Sequence, residues 1–144
     1  IVVSPQCPKS DLWWKPKIVA GLVDEVIAKQ AVDKDRVYLT GLSQGGFGTW
    51  ATAAEYPKKF AAVAPVCGGG KVEWAKKYGK LPIWNFHGDA DRVVPPRLSR
   101  VMVEAIEKAR GKVKYTEYPG VGHNSWNPAY DDPKLYEWFL SHKR

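Results

Sequence analysis

Residues 41–50 read GLSQGGFGTW and place Ser43 between two glycines, Gly41 and Gly45. The run before them, RVYLT, has the composition of a strand, whereas the pattern after Ser43 is helical and ends before a proline. A strand that turns sharply into a helix needs small residues on both sides, because larger side chains there would collide with the neighbouring backbone. The stretch therefore predicts a strand–turn–helix unit with a serine at its tip.

A serine in such a turn is a candidate nucleophile. Its hydroxyl would lie near the N-terminus of the following helix, where the amide of Gln44 faces any oxyanion that forms beside Ser43. The alternative is a turn serine that only caps the helix. The GxSxG pattern alone does not separate these two interpretations, so the residues that accompany Ser43 elsewhere in the chain decide between them.

Apolar strand patterns and amphipathic helix patterns alternate along the 144 residues. The predicted strands are IVVSP, RVYLTG, FAAVAPV, LPIWNFHG and KVKYTEYPG, and the predicted helices are residues 17–31, 44–56, 71–78, 96–110 and 132–142. This alternation is typical of an α/β fold with a mostly parallel sheet and right-handed crossovers. In such sheets the functional side chains collect at the carboxyl ends of the strands.

Two later strands are followed by residues that could serve a serine nucleophile. The strand LPIWNF leads into HGDADRVVP, which carries Asp89 and Asp91, and KVKYTEYP leads into GVGHNSW, which carries His123. A serine hydroxyl needs a base to take its proton, and an imidazole base needs an acid that fixes its tautomer. The chain order serine, aspartate, histidine accompanies this type of turn. We therefore expect Ser43, His123 and one of the two aspartates to form a catalytic triad.

Four stretches, GLSQGGFGTW, APVCGGG, HGDADRVVP and YPGVGHNSWNPAY, resemble motifs of the α/β-hydrolases. The resemblance is narrower to esterases of the dienelactone hydrolase, phospholipase/carboxylesterase and polyhydroxybutyrate depolymerase type. It implies a three-layer sandwich with a mostly parallel sheet, and a serine esterase that forms an acyl-enzyme on a small-molecule ester. It also implies Ser43 as the nucleophile, His123 as general base and acid, and Asp91 rather than Asp89 as the orienting acid. Asp89 is expected instead to make a local Asx-type turn bond. No metal or cofactor is expected.

The resemblance also implies that the N-terminal strands of the domain are absent from this sequence. In the family pattern, IVVSP corresponds to the fourth strand, and the loop after the third strand donates the second oxyanion-hole amide. We therefore expect residues 1–144 to be the C-terminal two-thirds of one α/β-hydrolase domain. The missing N-terminal segment would be a structural partner of this chain and would complete its oxyanion hole.

Several further residues have both a functional and a structural interpretation. Trp126 lies three residues after His123 and is a candidate for substrate binding, with core packing as the alternative. We expect His87 to hold the turn after its strand. Cys7 and Cys67 are expected at strand ends too far apart for a disulfide, and the cysteines and histidines lack the spacing of a metal site.

The composition excludes some classes of protein and leaves others open. The formal net charge is +7, but the basic residues are scattered and no nucleic-acid motif accompanies them, so no nucleic-acid partner is expected. No apolar run is long enough for a membrane helix, so no membrane partner is expected either. Two alternatives to an esterase stay open: a serine peptidase of the prolyl-oligopeptidase type, which uses the same triad, and a non-catalytic hydrolase-like binding module.

Overall fold

The computed structural model describes residues 1–7 and 13–144. Within these residues, four strands form one parallel sheet in the order in which they follow along the chain. The strands are β1 (Tyr38–Leu42), β2 (Ala62–Val66), β3 (Pro82–Gly88) and β4 (Lys112–Tyr118). Each of them overlaps a strand predicted from the sequence, and β1 extends past the end of its prediction by one residue, Leu42.

One helix precedes the first strand, and the others connect the strands or follow the last one. They are α1 (Pro16–Lys29), α2 (Gln44–Glu55), α3 (Arg97–Lys108), α4 (Trp126–Asp131) and α5 (Pro133–Leu140), with 3-10 helices at Pro57–Lys59 and Val72–Tyr78. Helix α4 was not predicted, because its six residues are too few to show a helical repeat. Across the described ranges, each helix is too short or too polar to cross a membrane.

The sheet separates two apolar cores, one on each face. Val63 of β2 and Ile83 of β3 pack on one face with residues of α2 and α3. Ala64 and Trp84, their neighbours in sequence, point to the other face and pack with residues of α4 and α5. Alternate residues of a strand point to opposite faces, so a strand that is covered on both sides is mostly apolar along its whole length. The predicted three-layer α/β architecture with a parallel sheet is confirmed.

The register aligns the carboxyl ends of the strands. Leu42, the last residue of β1, is paired with Val66, the last residue of β2. Val66 is paired with Phe86 of β3, and Gly88 at the end of β3 is paired with Tyr118 at the end of β4. The segments that leave the strands therefore start at one edge of the sheet.

The predicted strand IVVSP is not a strand in the structure. Residues 1–7 have no regular secondary structure, and the side chains of Ile1 and Val2 are 82% and 92% exposed. A strand needs the hydrogen bonds of a neighbouring strand and a core to cover its apolar face, and this segment has neither among the described residues. Cys7 and Cys67 do not form a disulfide, as predicted.

Candidate active site

Ser43 lies at the turn between β1 and α2 in a backbone conformation that is rare for a residue with a side chain. Its φ is 51° and its ψ is −116°, which places it in the region that favours glycine. The amide of Ser43 donates to the carbonyl of Val66 at 3.0 Å and lies 3.3 Å from the Sγ of buried Cys67. The hydroxyl of Ser43 is directed at His123 rather than at an amide of α2. The turn therefore presents the serine instead of using it as a helix cap.

The glycines beside Ser43 differ in how crowded they are. A Cβ at Gly41 would lie 2.4 Å from the carbonyl oxygen of Gly45, and one at Gly46 would lie 2.4 Å from the carbonyl oxygen of Val66. A Cβ at Gly45 would meet nothing within 4 Å. The expectation that both flanking glycines are sterically required is therefore wrong for Gly45, because the close backbone approach falls on Gly41 and Gly46.

Gly41→Ala is expected to destabilise the fold by at least about 2 kcal/mol, because the added methyl would meet backbone atoms that cannot move aside. Gly45→Ala is the matched control, and it should be neutral or stabilise by up to about 1 kcal/mol, since the position is helical and open. Urea unfolding midpoints of the two variants measure the difference. Equal midpoints would show that the turn is less tightly packed than described.

The structure brings Ser43, His123 and Asp91 together from three different strand ends. The Nε2 of His123 is 2.9 Å from the Oγ of Ser43, and the Nδ1 of His123 is 2.7 Å from the Oδ2 of Asp91. The side chain of Asp91 is fully buried, whereas that of His123 is 20% exposed. The three groups form a continuous hydrogen-bonded chain that runs from the buried carboxylate to a partly accessible hydroxyl.

The carboxylate of Asp91 has partners on both oxygens. Its Oδ1 accepts from the amides of Val93 at 2.8 Å and Val94 at 2.9 Å. Burial alone would raise the pKa of Asp91, but the hydrogen bonds from His123, Val94 and Val93 lower that pKa below its ordinary value of 3.8. The ionised carboxylate therefore stabilises the fold above about pH 3.8, and this contribution is lost as the pH falls through the lower folded-state pKa.

Asp89, the other aspartate of this turn, has a different role from the one expected. Its Oδ1 accepts from the amide of Gly120 at 2.7 Å, in the loop that leads to His123. The sequence predicted a local Asx turn, but the amide of Asp91 that would close it donates to the carbonyl of Gly88. Asp89 therefore connects the two loops that carry Asp91 and His123.

The remaining predicted site residues, Gln44 and Trp126, both lie beside the hydrogen-bonded chain. Gln44 is the first residue of α2, so its amide belongs to the positive end of that helix, next to Ser43. Trp126 is the first residue of α4, and its ring meets the ring of His123 edge-on, with centroids 5.4 Å apart. Trp126 also packs against the core cluster on that face of the sheet.

His87 is a neighbour of the site that the sequence did not connect with it. Its Nε2 is 2.9 Å from the carbonyl oxygen of Val94, which agrees with the expected role in the turn, and 3.2 Å from the Oδ2 of Asp91. The only signal in the sequence was its position four residues before Asp91. In the part of the chain that the structure describes, no cluster of three or more histidine, cysteine, aspartate or glutamate side chains is arranged to hold a metal ion.

Comparison with known proteins identifies relatives over most of the chain. Residues 16–134 match the family model described as phospholipase/carboxylesterase. Carboxylesterase SOBER1 of Arabidopsis thaliana is 29% identical over 117 residues, which are 77% of this chain and 51% of that protein. Poly(3-hydroxyalkanoate) depolymerase C of Paucimonas lemoignei is 50% identical over 48 residues, which are 33% of this chain and 12% of that protein.

A solved structure also resembles this chain over most of its length. The crystal structure of a thermostable esterase is 39% identical and superposes with a TM-score of 0.85, over 89% of this chain and 36% of its own. The chain thus spans only 12% to 51% of the length of these three proteins. Because the family model covers most of the chain, the resemblance read from the motifs is confirmed, and the chain belongs to the phospholipase/carboxylesterase family of the α/β-hydrolases.

Proposed function

We propose that the protein is a carboxylic-ester hydrolase that forms an acyl-enzyme on Ser43. The observation that carries this proposal is the chain of hydrogen bonds from Ser43 through His123 to Asp91, at 2.9 and 2.7 Å. A hydroxyl is a weak nucleophile at neutral pH, and this arrangement is the one that activates it. The esterase names of several relatives support the same reaction.

The tautomer of His123 follows from its partners. The Oδ2 of Asp91 can only accept, so the Nδ1 of His123 carries a proton and donates it. The Nε2 is then unprotonated and accepts the hydrogen bond from the hydroxyl of Ser43. As the Oγ of Ser43 attacks the ester carbonyl carbon, its proton passes to Nε2, and the buried carboxylate stabilises the imidazolium that results.

The tetrahedral intermediate then collapses, and His123 gives its proton to the departing alcohol. The carbonyl re-forms as the acyl ester of Ser43. A water molecule attacks this ester with His123 again acting as base, and the acid is released as the Ser43 hydroxyl regains its proton. We propose that Trp126, whose ring lies against His123, contacts the substrate during these steps.

The negative charge of the intermediate requires hydrogen-bond donors. We propose that the Gln44 amide is one of them, because it opens α2 directly after the nucleophile. Among the described residues, β1 is an edge strand of the sheet, and it pairs with β2 on one side only. We propose that a segment from the N-terminal part of the same domain adds to the other side of β1 and supplies the second amide. Such a donor contributes about 10²- to 10³-fold to kcat.

A matched pair of substrates tests the reaction class. The full-length protein is assayed with the p-nitrophenyl ester and with the p-nitroanilide of the same acyl group, and the kcat/KM values of the two substrates are compared. An esterase should release p-nitrophenol in a rapid burst followed by a slower steady rate, and should turn over the anilide far more slowly. Comparable kcat/KM values for ester and anilide would favour a peptidase, and turnover of neither would favour a binding module.

A further inference from the structure

A second histidine contacts the carboxylate that serves His123. The side chain of His87 is completely buried in β3, and its Nε2 lies 3.2 Å from the Oδ2 of Asp91. This Oδ2 is the same oxygen that accepts from the Nδ1 of His123 at 2.7 Å. One carboxylate oxygen is therefore held between two imidazole rings, and only one of these rings touches the nucleophile.

The hydrogen-bond partners of His87 indicate which of its two ring nitrogens carries a proton. Its Nε2 faces the Oδ2 of Asp91 and the carbonyl oxygen of Val94, at 3.2 and 2.9 Å, and both of these groups can only accept. The Nε2 therefore carries a proton and is shared between the two acceptors. On the other side of the ring, the Nδ1 lies 2.7 Å from the hydroxyl of Ser99, which is also completely buried.

These contacts restrict Asp91 in two ways. The bond to the Val94 carbonyl holds the loop whose amides, from Val93 and Val94, bind the Oδ1 of Asp91. The bond to Oδ2 opposes rotation of the carboxyl group about its Cβ–Cγ bond, because both oxygens then have fixed donors. A carboxylate fixed in this way presents Oδ2 to His123 at one distance and one angle, as a catalytic hydrogen bond requires.

Ser99 extends the restraint to the nucleophile turn. Its hydroxyl, in addition to contacting His87, lies 3.3 Å from the carbonyl oxygen of Gly68. Gly68 lies against the start of α2, where a Cβ on it would come within 2.6 Å of the backbone of Gly46. The loop that carries the acid and the turn that carries Ser43 are thus connected through buried polar contacts as well as through His123.

We propose that His87 is a positioning residue, which through its Nε2 proton holds the Asp91 carboxylate in the orientation that His123 requires. This inference rests on the proposed function, because it gives His87 a role only in a reaction that uses the triad. His87 does not touch the Ser43 hydroxyl or the reacting carbonyl. Its effect should therefore appear in kcat, while KM for an ester substrate changes little.

Two substitutions of His87 distinguish the effect of losing the hydrogen-bond donor at Nε2 from the effect of losing the imidazole ring. In His87→Gln the side-chain amide reaches the place of Nε2 and can still donate to Asp91 and Val94. In His87→Asn the amide reaches only the place of Nδ1, beside Ser99, and Asp91 loses the donor at position 87 while it keeps those of His123, Val93 and Val94. We expect kcat to fall about tenfold or more in His87→Asn, and to return to within about threefold of the unsubstituted protein in His87→Gln.

The controls distinguish failure of this inference from failure of the proposed function. His142→Gln, a histidine whose ring lies against Trp138, should leave kcat unchanged. Ser43→Ala should remove turnover if the proposed function is right, and unchanged turnover in that variant would overturn the proposed function itself. If Ser43→Ala is inactive while His87→Asn keeps full kcat, or if Gln and Asn lower kcat equally, the role of His87 is overturned.

If His87→Asn does not fold, the proposal can still be tested by measuring which ring nitrogen of His87 carries a proton in the unsubstituted protein. Nuclear magnetic resonance of protein labelled with ¹⁵N at histidine reports which ring nitrogen carries a proton, and the signals that are lost in His87→Gln belong to His87. The proposal requires a protonated Nε2 on His87 at neutral pH. An Nε2 without a proton could not donate to Asp91 and would overturn the proposal.

Discussion

Ser43→Ala is expected to lower kcat for ester hydrolysis by at least about 10⁴-fold, because the proposed acyl-enzyme forms on the Ser43 hydroxyl. The alanine removes one oxygen and leaves His123 and Asp91 in contact with each other, so the fold should be retained. Turnover of a p-nitrophenyl ester at saturating concentration measures the loss. Activity within tenfold of the unsubstituted protein would mean that hydrolysis takes place elsewhere.

A second substitution at the same position checks that the loss comes from chemistry and not from unfolding. At a φ of 51° a side chain is strained, whereas glycine adopts this region at little cost. Ser43→Gly should therefore be as inactive as Ser43→Ala but more stable, by on the order of 1 kcal/mol. Thermal unfolding of the two variants measures this difference. Equal stability would show that the turn is not strained.

Asp91→Asn is expected to lower kcat by about 10³- to 10⁴-fold. The amide nitrogen of an asparagine can donate to the Nδ1 of His123, which places the proton of the ring on Nε2. A protonated Nε2 cannot accept the proton of Ser43, so the geometry is retained while the base is lost. Steady-state kinetics with the same ester gives the change in kcat.

Asp89→Asn is the matched control for that substitution. Asp89 lies in the same turn, and its Oδ1 accepts from the amide of Gly120, a bond that an asparagine oxygen can also accept. We expect a change of less than about tenfold in kcat. If Asp89→Asn were the more damaging of the two, the acid of the triad would be Asp89 and the contact between Asp91 and His123 would be structural.

The strands and the meeting of the triad residues could be predicted from local sequence. The strands β2 and β3 are buried on both faces, so β2 is apolar throughout, β3 is apolar except at Asn85 and His87, and both stand out from their surroundings. Ser43, Asp91 and His123 lie far apart in the chain, but each follows a parallel strand. Because the register aligns the carboxyl ends of the strands, the position of these residues at strand ends predicted that Ser43, His123 and one of the two aspartates would meet. The family resemblance then selected Asp91 over Asp89.

Other features depend on contacts that are not visible in the local sequence. IVVSP has the composition of a strand, yet a strand forms only beside a partner, and residues 1–7 have none in the described parts of the chain. The crowding at Gly46 of α2 arises from the carbonyl of Val66, which belongs to β2 and is distant in the sequence. The contact between His87 and Asp91 depends on how the turn folds back over β3, and residue spacing alone does not define that.

Labelling with a fluorophosphonate shows whether Ser43 is an activated nucleophile. The protein is treated with the reagent, its intact mass is measured under denaturing conditions, and the modified peptide is then identified. We expect a single adduct on the peptide that contains Ser43, and no adduct in Ser43→Ala. A protein that stays unmodified, or an adduct that persists in Ser43→Ala, would show that Ser43 is not the activated nucleophile.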